Sequence, residues 1–485
     1  MTPPAPRSRA PDRSPTDALL QWWPMLRTRL PLMLASAAMA MSLAASCTTA
    51  RLDENAEERL QSTRGVNTTT ATSESSPIDA GPAPVPGGDS ALLGMRGARP
   101  GTGLDADFRD RILGIDPSIA DFDGAAEGYD AVMVLAISAE AARSDAPGRL
   151  AAGVIDTTRR GESCRTFIRC RALALTNTDL DYDGASGQVE LLENGDPGEA
   201  GFSIVEFRGD GTLEVTDQTT AQASDLTNPP NPPDAAFGPL GDGVLTIGTL
   251  LPVAGPDGAA ARAALAGAGL AVDEINAANG VLGDLMTLIP DESGDGSNDA
   301  TAAAVERLLG QGADAVIGGT TYGITSVALA PLTDAGVVLF SPTDTARALS
   351  IAPDNGRFFR LSPSTDLEGR VLGTLVANDG STQVAIASGP SDDDLELAAD
   401  VAAALNASGA TVTATVLVDS ASDAAASSLE LLAGNPQAIV IVTPATTAAA
   451  LIGRLITVGK GPASMPIYGT AANMTPELAT EVGAG

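Results

Sequence analysis

Residues 179–190, DLDYDGASGQVE, place Asp179, Asp181, Asp183, Gly184 and Glu190 at the spacing of an EF-hand calcium loop. Such a loop needs an apolar residue where Ser186 stands, and the segment that follows reads as strand, so an Asx-rich turn is the expectation and no metal is assigned. The chain has no histidine, which removes Ser-His-Asp and Cys-His catalysis and leaves zinc without its favoured ligand. With 61 Asp and Glu residues, a pair of neighbouring carboxylates carries little weight as a catalytic sign. The expectation is a protein that is not an enzyme and holds no cofactor. Cys164 and Cys170, in GESCRTFIRC, most simply close a small disulfide loop in an exported chain, two free thiols being the other reading.

The third cysteine, Cys47, ends a segment with a different use. Arg27 and Arg29 precede about seventeen uncharged, mostly apolar residues that run up to it, a length that suits an export signal and not a membrane span. LAASC resembles a bacterial lipobox, with Leu43 one place early and Ala44 in its stead, so lipidation of Cys47 is expected; a plain cleaved signal is the alternative. Either Met1 or Met25 can be the start. Residues 47–90 are rich in Ser, Thr, Glu, Asp, Gly and Pro, cannot bury enough surface to offset their ordering entropy, and read as a tether. A net charge of −33 excludes the basic footprint of a nucleic-acid binder.

The remaining residues must supply the architecture. From 244 onward, β-branched runs bounded by Gly, Asp or Ser predict strands at 245–251, 285–290, 315–318, 337–341, 383–387, 411–417 and 438–442. Between them, AAAVERLLGQG, DLELAADVAAALNASG and TTAAALIGRLITVG carry apolar residues at helical spacing. Strands alternating with helices imply parallel sheets covered on both faces. Before this run, LLGMRGARPG reads as a strand and turn, residues 105–142 as two helices broken at Pro117, and 181–215 as an extended segment with a hairpin. The Pro-rich stretch 227–243 can span roughly 50 Å as an extended spacer.

The opening VLTIGTLLPVAGP and the course of 244–485 resemble the first two thirds of a type I periplasmic solute-binding protein of the leucine/isoleucine/valine-binding family. Residues 91–226, with AAEGYDAVMVLAISAE and FSIVEF, resemble its last third. The resemblance implies an α/β fold of two doubly wound parallel-sheet lobes joined by a three-segment hinge, circularly permuted, or else a join made in the gene model. Lobe one is expected at about 244–362 and lobe two at about 363–485, the chain crossing at RFFRLSPSTDLEGRVLG.

It also implies a ligand cleft between the lobes. On lobe one the family site falls on the loop PVAGPDGAA after the opening strand, on GGTTYGITS, with Thr321, Tyr322, Gly323, Thr325 and Ser326, and on SPTDT, with Thr343 and Thr345. A helix N-terminus with hydroxyl donors suits a carboxylate, although Ser, Thr and Asp perform the same capping chemistry in any helix. Lobe two departs from the pattern. Ala471 stands where amino-acid binders have a carboxylate for the ammonium group, and Asp393 is the substitute offered by GPSDDDLELA. In lobe one, Tyr322 stands where a small hydroxyl residue is usual and is placed to clash with the carboxylate. The implied function is that of an extracytoplasmic lipoprotein, anchored to the membrane, that binds an amino acid or small carboxylate for an ABC permease. A ligand-sensing domain and a scaffold without a ligand are the alternatives, because fold alone does not separate them.

Overall fold

The computed structural model describes residues 90–223, 234–254, 258–291 and 295–483. The expected export signal, Cys47, nearly all of the tether and the first part of the Pro-rich spacer lie outside these residues. No helix among the described residues is long and apolar enough to cross a membrane.

The first run contains β1 (Arg96–Pro100), α1 (Ala106–Ile115), α2 (Ala125–Ala142), α3 (Pro147–Asp156), β2 (Glu162–Cys164), α4 (Phe167–Leu175), β3 (Leu180–Tyr182), β4 (Glu199–Phe207) and β5 (Leu213–Gln222). The second begins with β6 (Thr246–Leu250), α5 (Gly258–Ala277), β7 (Thr287–Asp291), α6 (Asn298–Gly310), β8 (Ala315–Gly318), α7 (Tyr322–Asp334), β9 (Val338–Ser341) and β10 (Phe358–Arg360). It continues through α8 (Thr365–Asn378), β11 (Gln383–Ser388), α9 (Asp392–Ala407), β12 (Thr411–Leu417) and α10 (Ala424–Ala433). It closes with β13 (Ala438–Val442), α11 (Ala445–Thr457), β14 (Ile467–Gly469) and α12 (Pro476–Gly483).

These strands form two principal sheets, each the centre of one lobe. Lobe one has the order β10-β9-β8-β6-β7, with every pair parallel. Lobe two has the order β12-β11-β13-β14-β1-β4-β5, parallel as far as β1 and antiparallel in its last two strands. Strand β13, Ala-Ile-Val-Ile-Val, shows why the sheets sit inside: all five of its residues are buried, as a strand covered on both faces requires. Its neighbour α11 buries Ala448, Leu451, Ile452 and Leu455, one helical stripe, and leaves Thr457 to solvent. The α/β fold with parallel sheets expected from the sequence is the fold observed.

Both lobes draw on both runs of chain. Strand β1 lies parallel to β14, Arg96 opposite Tyr468 and Gly97 opposite Gly469. Leu92, Met95, Val205 and Phe207 share a core with Ile439, Ile441 and Ile467. In lobe one α2 is buried continuously from Gly128 to Glu140 and packs along α5. The two helices approach closely because a Cβ on Gly128 would lie 2.2 Å from the Ala264 carbonyl oxygen, and one on Gly267 1.9 Å from that of Ala125. Cys164 and Cys170 are joined in a disulfide whose two residues are buried in the same core.

The calcium-like loop is organised by a protein carboxylate. Asp130 of α2 is fully buried and accepts hydrogen bonds from the Tyr182 hydroxyl (2.7 Å), the amides of Ala185 (2.8 Å) and Ser186 (2.7 Å), and the Ser186 hydroxyl (2.6 Å). Among the described residues no three His, Cys, Asp or Glu side chains converge as metal ligands.

Two buried arginines tie distant parts of the chain together, Arg360 joining the two runs and Arg357 the second run to the spacer. Arg360 on β10 donates to Asp196 (2.7 Å), the Ser350 hydroxyl (2.8 Å) and the carbonyls of Ala346 (2.8 Å) and Asp344 (3.3 Å). Arg357 donates to the carbonyls of Asp234 and Phe237 (both 2.9 Å), Asn355 (2.7 Å) and Gly336 (3.2 Å), with the Phe237 ring 4.8 Å away. The described end of the Pro-rich spacer is therefore held against lobe one.

Candidate ligand cleft

The chain passes between the lobes at 101–105, 183–198 and 361–364, and beside these passages lies a cavity of about 300 Å³. That volume is at the lower end of the range of small-molecule sites. Strand ends from both sheets reach it, the place where open α/β sheets present their loops.

Lobe one contributes hydroxyls. Thr320 follows β8, and Thr343 and Thr345 follow β9. Thr320 is 8% exposed, and its hydroxyl has no hydrogen-bond partner within the protein. The Thr343 hydroxyl donates weakly to the Thr320 carbonyl at 3.4 Å, and the Thr345 carbonyl accepts from the Thr365 amide at 3.0 Å. Gly124, the N-cap of α2, has φ 88°, and a Cβ there would meet the Thr343 methyl at 2.8 Å. A glycine in this left-handed conformation lets α2 begin against the cavity wall.

Charged groups line the rest. Glu127, in the first turn of α2, is half-buried, and burial pushes its carboxyl up to about 7 against the pull of the Gly124 amide and its own. Arg109 lies over the Phe122 ring at 5.5 Å. Lobe two presents Arg99, Ser203 and Ala471. The Arg99 guanidinium is ion-paired across the cleft with Asp123. A second bridge between lobes joins Arg347 to Asp400 at 3.2 Å.

Behind Ala471, buried Glu368 accepts the Ala471 amide at 2.7 Å. Burial lifts the Glu368 carboxyl to about 7, while the Ala471 hydrogen bond and Arg99 pull it back. Its folded value exceeds the ordinary 4.5, so between pH 4.5 and 7 the folded state holds a proton that the unfolded chain has released. Stability due to this group is present at the acid end of that window and falls as pH rises through it. Glu368→Gln is expected to lessen the loss of stability between pH 5 and 8, read by urea denaturation at both values. An unchanged pH dependence in the variant would contradict this account.

Several residues expected at the site stand elsewhere. Thr325 is fully buried within lobe one, its hydroxyl donating to Asp344 and to the Thr321 carbonyl. Thr321 is the N-cap of α7, and the Ser326 hydroxyl turns back to the Gly323 carbonyl. Tyr322 is 44% exposed and, like Gly323, does not line the cavity, so its ring does not crowd a carboxylate there. Asp393 also lies outside the lining, in the first turn of α9. Burial, then Glu396, Asp394 and Asp392, raise its carboxyl, which Arg360 moderates. Thr343, Thr345 and Ala471 are the sequence-derived positions that the cavity brings together. Thr320, Arg99, Asp123 and Glu127 were not singled out in the sequence.

The family described as periplasmic binding protein matches residues 244–485. A Leu/Ile/Val-binding protein, BraC3, of Rhizobium johnstonii is 35% identical over 116 residues, which are 24% of this chain and 31% of that protein. The chain thus spans about a third of the curated relative it matches. Among solved structures, it is similar to the branched-chain amino acid transporter substrate binding protein LivJ of Streptococcus pneumoniae, in complex with isoleucine. That match has 25% identity and a TM-score of 0.41, covering 50% of this chain and 68% of that one. An ABC transporter substrate-binding protein of Desulfitobacterium hafniense, in complex with Leu, is 23% identical with a TM-score of 0.39, covering 46% and 65%. Through residues 244–485, the chain belongs to the periplasmic binding protein family.

Proposed function

We propose that this protein is the extracytoplasmic solute-binding component of an ABC importer, capturing an amino acid or similar small carboxylate between its lobes. The observation that carries the reading is the cavity itself, walled on one side by Thr320, Thr343 and Thr345 and on the other by Arg99 and Ala471. Hinge closure around a solute is the ordinary motion of two such lobes. We read the two runs as one circularly permuted domain, for which the position of β1 beside β14 and of α2 along α5 is the support. Cys47 is the proposed site of lipid attachment, which would hold the domain outside the membrane near its permease.

The test is a thermal-shift screen of amino acids, amides and small organic acids against the mature domain. A ligand at 100 times its Kd adds about 2.7 kcal/mol of stability. A charged hydrogen bond contributes roughly 1.5–3 kcal/mol, so Thr345→Ala is expected to weaken that ligand by about one to two orders of magnitude. Mass spectrometry of the membrane-extracted protein is expected to find acyl chains on Cys47. A screen without any ligand would favour the scaffold reading, and an unmodified residue 47 would remove the anchor.

A further inference from the structure

Among the described residues, two charged groups on the cavity wall have no ion-pair partner. The first is Arg109, in the opening turn of α1, whose guanidinium lies over the Phe122 ring at 5.5 Å; both residues line the cavity. Its Nε is buried without a hydrogen-bond partner. The acids nearest in sequence are occupied or turned away. Asp105 caps α1 through the Phe108 amide at 2.6 Å, Asp107 pairs with Arg111 at 3.3 Å, and Asp110, one residue on, leaves the helix on another side. Stacking on an aromatic face orients a guanidinium and leaves its N–H edge free for a planar anion.

The second is Glu127, in the first turn of α2. Burial, then Asp130 and Asp123, work against its charged form, and a ligand cation beside it reverses that balance. The other charges on the wall answer one another. Arg99 pairs with Asp123 and lies in the field of buried Glu368, and Asp121 accepts the Asp123 amide at 3.1 Å. Arg109 and Glu127 are therefore the groups with charge to offer a solute, one of each sign. Lobe one also presents Thr320, with a buried hydroxyl that lacks a partner inside the protein, beside Thr343 and Thr345. Such hydroxyls suit one carboxylate, the guanidinium a second, and Glu127 an ammonium. An acidic amino acid carries all three groups, and leucine lacks one of them.

We propose that Arg109, stacked on Phe122, receives an anionic side chain of the solute while Glu127 receives its ammonium, so that the cleft selects acidic amino acids over leucine, isoleucine and valine. This rests on the reading of the cleft as the solute site. The ammonium partner then stands on α2 of lobe one, and Ala471 of lobe two has no such part to play.

Isothermal titration of the mature domain tests it with glutamate, aspartate, glutamine, leucine and glutarate. Glutamate or aspartate is expected to bind, with glutamine and leucine about tenfold or more weaker. Arg109→Gln is expected to weaken the acidic amino acid by about ten- to hundredfold and to leave glutamine nearly unchanged, which separates a lost contact from a folding defect. Arg109→Lys, which keeps the charge, is expected to recover part of the loss. Glu127→Gln is expected to weaken the acidic amino acid by a similar factor and to spare glutarate, which has no ammonium. Leucine or glutarate binding as tightly as the acidic amino acids, or acidic amino acids indifferent to Arg109→Gln, overturns the proposal and leaves the solute-binding reading standing. If none of the five binds, the proposal falls, and the wider thermal-shift screen decides the solute-binding reading by itself.

Discussion

Residues 244–485 produced without residues 90–223 are expected to be insoluble, or soluble without a cooperative melt. Loss of the first run strips β1 from β14 and opens the middle of the lobe-two sheet. An exposed central strand edge is a template for aggregation. In lobe one the loss of α2 removes Val132, Met133, Val134, Leu135 and Ile137, each at most 1% exposed. At roughly 1.5–3 kcal/mol for each buried side chain, these five alone are worth about 10 kcal/mol. The whole net stability of a domain is about 5–15 kcal/mol. Co-production of the two runs as separate chains is expected to restore solubility, measured by pull-down and by circular dichroism of the complex. A cooperative melt of 244–485 alone at the temperature of the intact domain would show that the runs fold independently.

The second large effect belongs to Arg360. Arg360→Met removes a cation with no solvent exposure and leaves Asp196, two carbonyls and the Ser350 hydroxyl without their shared donor. Breaking a buried pair from one side typically costs about 3–5 kcal/mol. The double variant Arg360→Met, Asp196→Leu is expected to be less destabilised than the sum of the single changes, because the stranded carboxylate goes with its partner. Urea denaturation of the four proteins measures this. Additive losses would show that Asp196 and Arg360 act separately, and a loss below about 1 kcal/mol would place the pair among weak surface bridges.

The fold was more legible in the sequence than the site. Strand β13 occupies 438–442 as read from its β-branched run, because burial on both faces demands such a run, and the edge strand β12 occupies 411–417 as read although Val416 alone of its residues is buried. Strands β2 and β3 escaped notice, since three residues are too few to show a period. The hydroxyl cluster after β8 was visible, yet Thr320 and not Thr321 reaches the cavity. That choice depends on Gly318 and Gly319, whose φ values of 157° and 77° turn the chain in a way no side-chain pattern records. Arg99 was invisible for another reason. What makes it notable is Asp123, Thr343 and Ala471 around one cavity, and these meet through long-range packing. Asp393 misled because three acids at a helix start look alike whether they bind a solute or merely complement the helix dipole.

The clasp that Arg357 makes on residues 234–237 has a consequence for how this chain can change over time. Its guanidinium grips main-chain oxygens, and every residue type supplies those equally. The path of the segment is thereby fastened while its spelling is left open, with two exceptions: Phe237, stacked near the guanidinium, and Asp234, whose carboxylate accepts the Ala236 amide at 2.9 Å. Substitutions at Ala235 and Ala236 should accumulate freely there, and loss of Arg357 itself should not be tolerated. An alignment of variants selected for folding would show an invariant arginine facing a stretch of neutral drift.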